Sequence, residues 1–248
     1  MMGTTPEREL ARRLNSLPGA VPVLFSPGLL HPAQRLGGYL EAGERHLPEL
    51  LGTEAPGLRA MLLSRGDWSA APRENARPYP FGLPYFTRSV EPPTLVFPER
   101  LAQALAPEAP LTLPLTVWHE QAHAFFLRDE TPKTPLWLGE LVPQTASAAV
   151  ARREGLPLGE HLASIEPARF TVREFGLPAS AEDQMSFQNL LLGLGATMLG
   201  EFGEGFLGRL VGLLRREPEP VDGRRAERLL AEALGEGGRE WLEAREEF

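Results

Sequence analysis

The sequence predicts an α+β protein, with a mixed sheet in its N-terminal half and a mostly helical C-terminal lobe. Two observations carry this. Short apolar runs bounded by turn residues occur only before residue 100, and helical spacing dominates after it. The expected division is residues 1–130 as an N-terminal α/β lobe and 131–248 as a helical lobe.

The elements follow in order. "PERELARRLNSL" reads as an amphipathic helix, with Thr5 placed to cap it before Pro6. "AVPVLFS" is a short apolar strand, and "HPAQRLGGYLEAGERHLPELLG" has helical spacing that stops at Gly52. "LRAMLLS" reads as a buried strand, and "RGDWSAAPRENARPYPFG" as a polar, proline-rich loop. "LPYFTRSV" and "PTLVFP" flank the turn "EPP" and predict an antiparallel hairpin, followed by a short helix in "PERLAQAL". Pro114 suits the first turn of a helix running to about Arg128. "PLWLGELVPQTASAAVARREG" is helical in composition, but Pro143 lies inside it. Proline removes one backbone bond and crowds the carbonyl four residues earlier, here Gly139, so a kink or restart is expected beside Glu140. Helices near 182–200, 203–216, 224–235 and 238–247 complete the chain.

Composition narrows the function. The 248 residues carry a net charge of -8, so the basic footprint of a nucleic-acid binder is missing. There is no cysteine, which excludes disulfides, thiolate metal sites and cysteine nucleophiles. Any metal must be held by His, Asp or Glu. "MMGTTPERELARRLNSL" lacks the apolar core of a signal peptide, and the most apolar run is broken by glycines, Glu201 and Glu204. A cytoplasmic location with no membrane partner is the expectation.

Against that background, "VWHEQAHAFF" stands out. Residues four apart share a helix face, so His119 and His123 can aim ring nitrogens at one ion. Zinc accepts such ligands at about 2.0–2.1 Å, with a third protein ligand and an open position for water. Glu120 points to the adjacent side, where a carboxylate can take a proton from activated water. Its flanks, "LTVW" and "AFFL", are apolar, as a buried helix requires. His31, His46 and His161 are available as third ligands, but Glu140, after 16 intervening residues, has the spacing for a helix end, a turn and a second helix.

"HEQAHAFF…TPLWLGEL" resembles the gluzincin zinc metallopeptidases, the peptidase MA-like group related to the thermolysin and M1 aminopeptidase folds. The resemblance extends over most of the chain from about residue 30. It implies a zincin-like fold forming one catalytic unit, a zinc ion on His119, His123 and Glu140, and Glu120 as general base in peptide-bond hydrolysis. It also implies a peptide or protein substrate pairing with the edge strand of the hairpin. The chain differs from the family in three places. "ELVP" stands where E-G-x-A is common, and Gln144 where an Asp often orients a ligand His. Phe187 occupies the region of an oxyanion-stabilising Tyr. The tyrosines are Tyr39, Tyr79 and Tyr85; Tyr79 and Tyr85 lie in or near the hairpin and either can supply the donor, with His161 and the arginines near it as further options, and Tyr85 is named as the expected catalytic donor. The alternative is a zinc-binding pseudoenzyme or peptide-binding protein on the same scaffold. Trp118 and Trp137 are read as packing beside the site, and "LLLGLG" as a close helix–helix contact.

Overall fold

The computed structural model describes residues 5–74, 83–103, 111–126, 132–165, 171–174 and 180–248. These form two compact units. The first comprises Met1–Arg45 and Ala55–Ala124, and the second His46–Glu54 and Phe125–Phe248.

The first unit is built on five strands: β1 (Asn15–Leu17), β2 (Val23–Phe25), β3 (Arg59–Leu63), β4 (Tyr85–Thr87) and β5 (Thr94–Pro98). Their order in the sheet is β1-β2-β3-β5-β4. The inner pairs β2/β3 and β3/β5 are parallel, and the outer pairs β1/β2 and β4/β5 are antiparallel. Central parallel strands are covered on both faces, so they read as continuous apolar runs rather than alternation. Accordingly Ala60, Met61, Leu62 and Leu63 of β3, and Leu95, Val96 and Phe97 of β5, are all buried. The predicted hairpin is the β4/β5 pair. It puts β4 at one edge of the sheet.

Helices α1 (Thr5–Arg13) and α2 (Leu30–Leu51) precede and follow β2. Leu10 of α1 packs with Met61, Leu63, Ala71 and Val96 in one core cluster. Helix α2 ends where predicted, with Gly52 at φ 60° supplying the left-handed turn that L side chains rarely adopt. A one-turn helix α3 (Arg65–Trp68) interrupts the expected loop. Its cap is Ser64, whose hydroxyl accepts from the Asp67 backbone N–H. Helix α4 (Glu99–Gln103) leads to α5 (Thr112–Phe126), which carries the two histidines. Most of α5 is buried, including Val117, Trp118, Ala122 and Phe125, which explains its nearly uniform apolar flanks.

The second unit is helical: α6 (Leu136–Arg153), α7 (Leu158–Ala163), α8 (Ala181–Phe202), α9 (Gly205–Leu214), α10 (Gly223–Leu234) and α11 (Gly238–Glu243). Helix α6 does not restart at Glu140. It runs through Pro143 as a single element. Proline fixes φ near the helical value and removes one bond, while Leu138, Leu141, Val142 and Ala146 bury the turns on either side. Helices α6 and α8 approach closely at Gly195, where an added Cβ would lie 3.0 Å from the Cα of Thr145. That is the close contact expected of "LLLGLG". Helices α8 and α9 meet at 111° after Gly203. No single helix among the described residues is long and apolar enough to cross a membrane. Arg153, at the end of α6, binds both Glu49 and Glu204, which ties the returning segment of α2 to α9.

Candidate metal centre

The site begins with helical spacing. One turn apart on α5, His119 and His123 face each other with ring centroids 4.6 Å apart, and their Nε2 atoms converge to 3.0 Å. His119 is buried and His123 half-buried. Glu120 follows on the adjacent side of the helix and is half-buried.

Two neighbours of this pair fix α5 in the first unit. Trp118 donates its indole N–H to the Tyr39 carbonyl at 2.8 Å and meets the Tyr39 ring edge-on. Gln121, fully buried, donates its amide to the Leu40 carbonyl at 3.1 Å and to the Glu44 carboxylate at 2.8 Å. The Gln121 side chain lies against Gly43, where a Cβ would come within 2.7 Å of its Cδ. Glycine is required at this approach. Burial pushes the Glu44 carboxyl above its ordinary pKa, and the Gln121 hydrogen bond opposes that shift more weakly.

The carboxylate comes from α6. Glu140 Oε2 accepts a 2.7 Å hydrogen bond from the Gln188 amide of α8, and Gln188 Oε1 accepts one from Gln144 at 2.5 Å. Gln144 stands where the resembled family often has an Asp that orients a ligand histidine. Its amide nitrogen instead turns to Gln188, one helix away, because α8 packs against this face of α6.

One ligand atom from each of His119, His123 and Glu140 lies within 4.8 Å of the others. No other set of three His, Asp or Glu side chains among the described residues does so. This donor set suits zinc. Two zinc–nitrogen bonds of about 2.0–2.1 Å at a tetrahedral angle separate the nitrogens by roughly 3.3 Å. The 3.0 Å separation of the two Nε2 atoms is already close to that. Two imidazoles and a carboxylate are also a common zinc ligand set that leaves a fourth position open.

The other histidines serve elsewhere. His31 is exposed beside Gln34, and His46 bonds Glu154 at 2.7 Å. His161 lies on α7, where burial lowers its pKa. Tyr85, the expected catalytic donor, lies on β4 at the edge of the sheet. Its single hydroxyl proton goes to the Pro72 carbonyl at 2.9 Å, and its ring packs edge-on against Trp68 beside the core cluster. Tyr79 lies outside the described residues. Phe187 is fully buried. Trp137 packs against Phe248, in line with a structural role.

Sequence reasoning did not find Gln188, Gln121 or Gly43. Their signal is faint: polar residues or glycines in otherwise buried helices, whose partners lie 48, 77 or 78 positions away.

No family description matches this sequence, and no curated protein is similar to it at a meaningful level. Solved structures are similar in fold. The native leukotriene A4 hydrolase of yeast matches with a TM-score of 0.56 at 13% identity, covering 94% of this chain and 38% of that one. Its complex with bestatin gives 0.52 at 14% identity, with the same coverage. A further native structure, from Saccharomyces cerevisiae, gives 0.56 at 15% identity. The fold is therefore zincin-like, of the type seen in leukotriene A4 hydrolase. The chain spans about two-fifths of the length of these neighbours.

Proposed function

We propose that this protein is a zinc-dependent hydrolase, with the metal held by His119, His123 and Glu140, and that its reaction is peptide-bond hydrolysis. The observation that carries the reading is the grouping of two imidazoles and one carboxylate on a fold shared with a hydrolase. Zinc in such a site supplies Lewis acidity, which brings the pKa of water down to about 7. Glu120 is the general base. Its carboxylate takes a proton from the water that attacks the peptide carbonyl, and passes it to the leaving amine nitrogen as the C–N bond breaks. A peptide or protein substrate adds its backbone alongside β4, the strand at the sheet edge.

Glu120→Gln tests the assignment. The variant keeps the zinc ligands but has no carboxylate to accept a proton, so it binds zinc like the parent and hydrolyses peptides about 10²–10⁴-fold more slowly. Turnover equal to the parent removes Glu120 from the mechanism. A second reading, a zinc-binding pseudoenzyme that captures peptides, is favoured by two observations: Phe187 has no hydroxyl, and the Tyr85 hydroxyl is given to Pro72. Under that reading a peptide library is bound but not cleaved above background.

A further inference from the structure

A ligand carboxylate needs a defined orientation, and that of Glu140 is set by a directional chain of amides. An ionised carboxylate only accepts hydrogen bonds. The group facing Glu140 Oε2 must therefore be a donor, which presents the NH2 end of Gln188 to it at 2.7 Å. The carbonyl end of the Gln188 amide then faces away and needs a donor of its own. Gln144 Nε2 supplies it at 2.5 Å. The Gln144 backbone is itself fixed, because the Ser147 hydroxyl donates to the Gln144 carbonyl at 2.8 Å. Every member belongs to α6 or α8, the helices that touch backbone to side chain at Gly195 and Thr145.

This arrangement has a chemical consequence. The Gln188 hydrogen bond to Oε2 fixes the direction in which the Glu140 carboxylate faces. We infer that Gln188 is a positioning residue that sets the orientation of the Glu140 carboxylate, and that Gln144 acts on the metal only by orienting Gln188. The inference rests on the zinc reading above.

Zinc affinity, measured by chelator competition, tests it in four full-length proteins: the parent, Gln188→Leu, Gln144→Leu and the double variant. Leucine is close to glutamine in volume and removes the amide. Groups that orient a metal ligand commonly contribute about 10–100-fold to metal affinity, and Gln188→Leu is expected to weaken zinc binding by that order. Gln144→Leu weakens it less, because Gln188 can still donate after losing its orientation. The decisive result is non-additivity: once Gln188 is leucine, replacing Gln144 changes the affinity no further. A residue that merely supports the fold gives additive losses and lowers the melting temperature of the zinc-free protein in proportion. Parent-like affinity in Gln188→Leu, or additive losses, overturns the relay while leaving the zinc site standing. Absence of zinc binding by the parent overturns the zinc reading and the relay together.

Discussion

Gly43→Ala is the sharpest test of how the histidine helix is held. In an open helix position, alanine for glycine is favourable by about 0.8–1.0 kcal/mol. At Gly43 the new methyl would lie 2.7 Å from Gln121 Cδ, so the buried amide must swing aside. It then loses its bond to the Leu40 carbonyl and its bond to the Glu44 carboxylate. The first contributes about 1 kcal/mol and the second, to a charged group, about 1.5–3. Subtracting the propensity gain leaves a net loss of roughly 1.5–3 kcal/mol. In a chain of this size that lowers the melting temperature by about 3–12 °C. Gly38 is the internal control, because it lies on the same helix and a Cβ there meets nothing within 4 Å. Calorimetry of both variants is the assay. Gly38→Ala is expected to melt slightly above the parent and Gly43→Ala well below it. Gly43→Ala melting with Gly38→Ala would refute the packing argument.

Two other predictions concern different parts of the molecule. In α8, Gly195→Ala forces its methyl to 3.0 Å from a backbone atom of α6, which cannot rotate away, whereas Gly193 has open space. Denaturant titration should find Gly195→Ala destabilised by about 1–3 kcal/mol and Gly193→Ala unaffected or more stable. Glu44 predicts a pH effect. Its folded pKa is raised by burial, so the folded protein binds this proton more tightly than the unfolded chain, and stability falls as pH rises through the folded value. Glu44→Gln removes the buried charge. Its advantage over the parent in thermal melts should therefore be greatest at neutral pH and vanish below the unfolded carboxylate value of about 4.3; an advantage independent of pH contradicts the assignment.

The parts of this protein legible in its sequence are those governed by local rules. Gly52 ended α2 through its backbone freedom, and the apolar runs at 59–63 and 94–98 became central strands. The two histidines met because four residues make one helical turn. What was not legible depends on contacts between distant segments. Pro143 signalled a break that burial of the surrounding turns overrides. The one-turn α3, the three-residue β1 and the six-residue α7 are too short for periodicity to register. The hydrogen bond from the Tyr85 hydroxyl to the Pro72 carbonyl, 13 positions earlier, is likewise not disclosed by the sequence. Gln144 carried the right position for a supporting group, but the packing of α8 decided what it supports.

Metal content per chain, measured by elemental mass spectrometry on the purified parent and on His123→Ala, tests the central claim most directly. About one zinc is expected in the parent and none in the variant, because two of three protein ligands do not hold the ion through purification. No zinc in the parent after reconstitution, or equal zinc in both proteins, would contradict it.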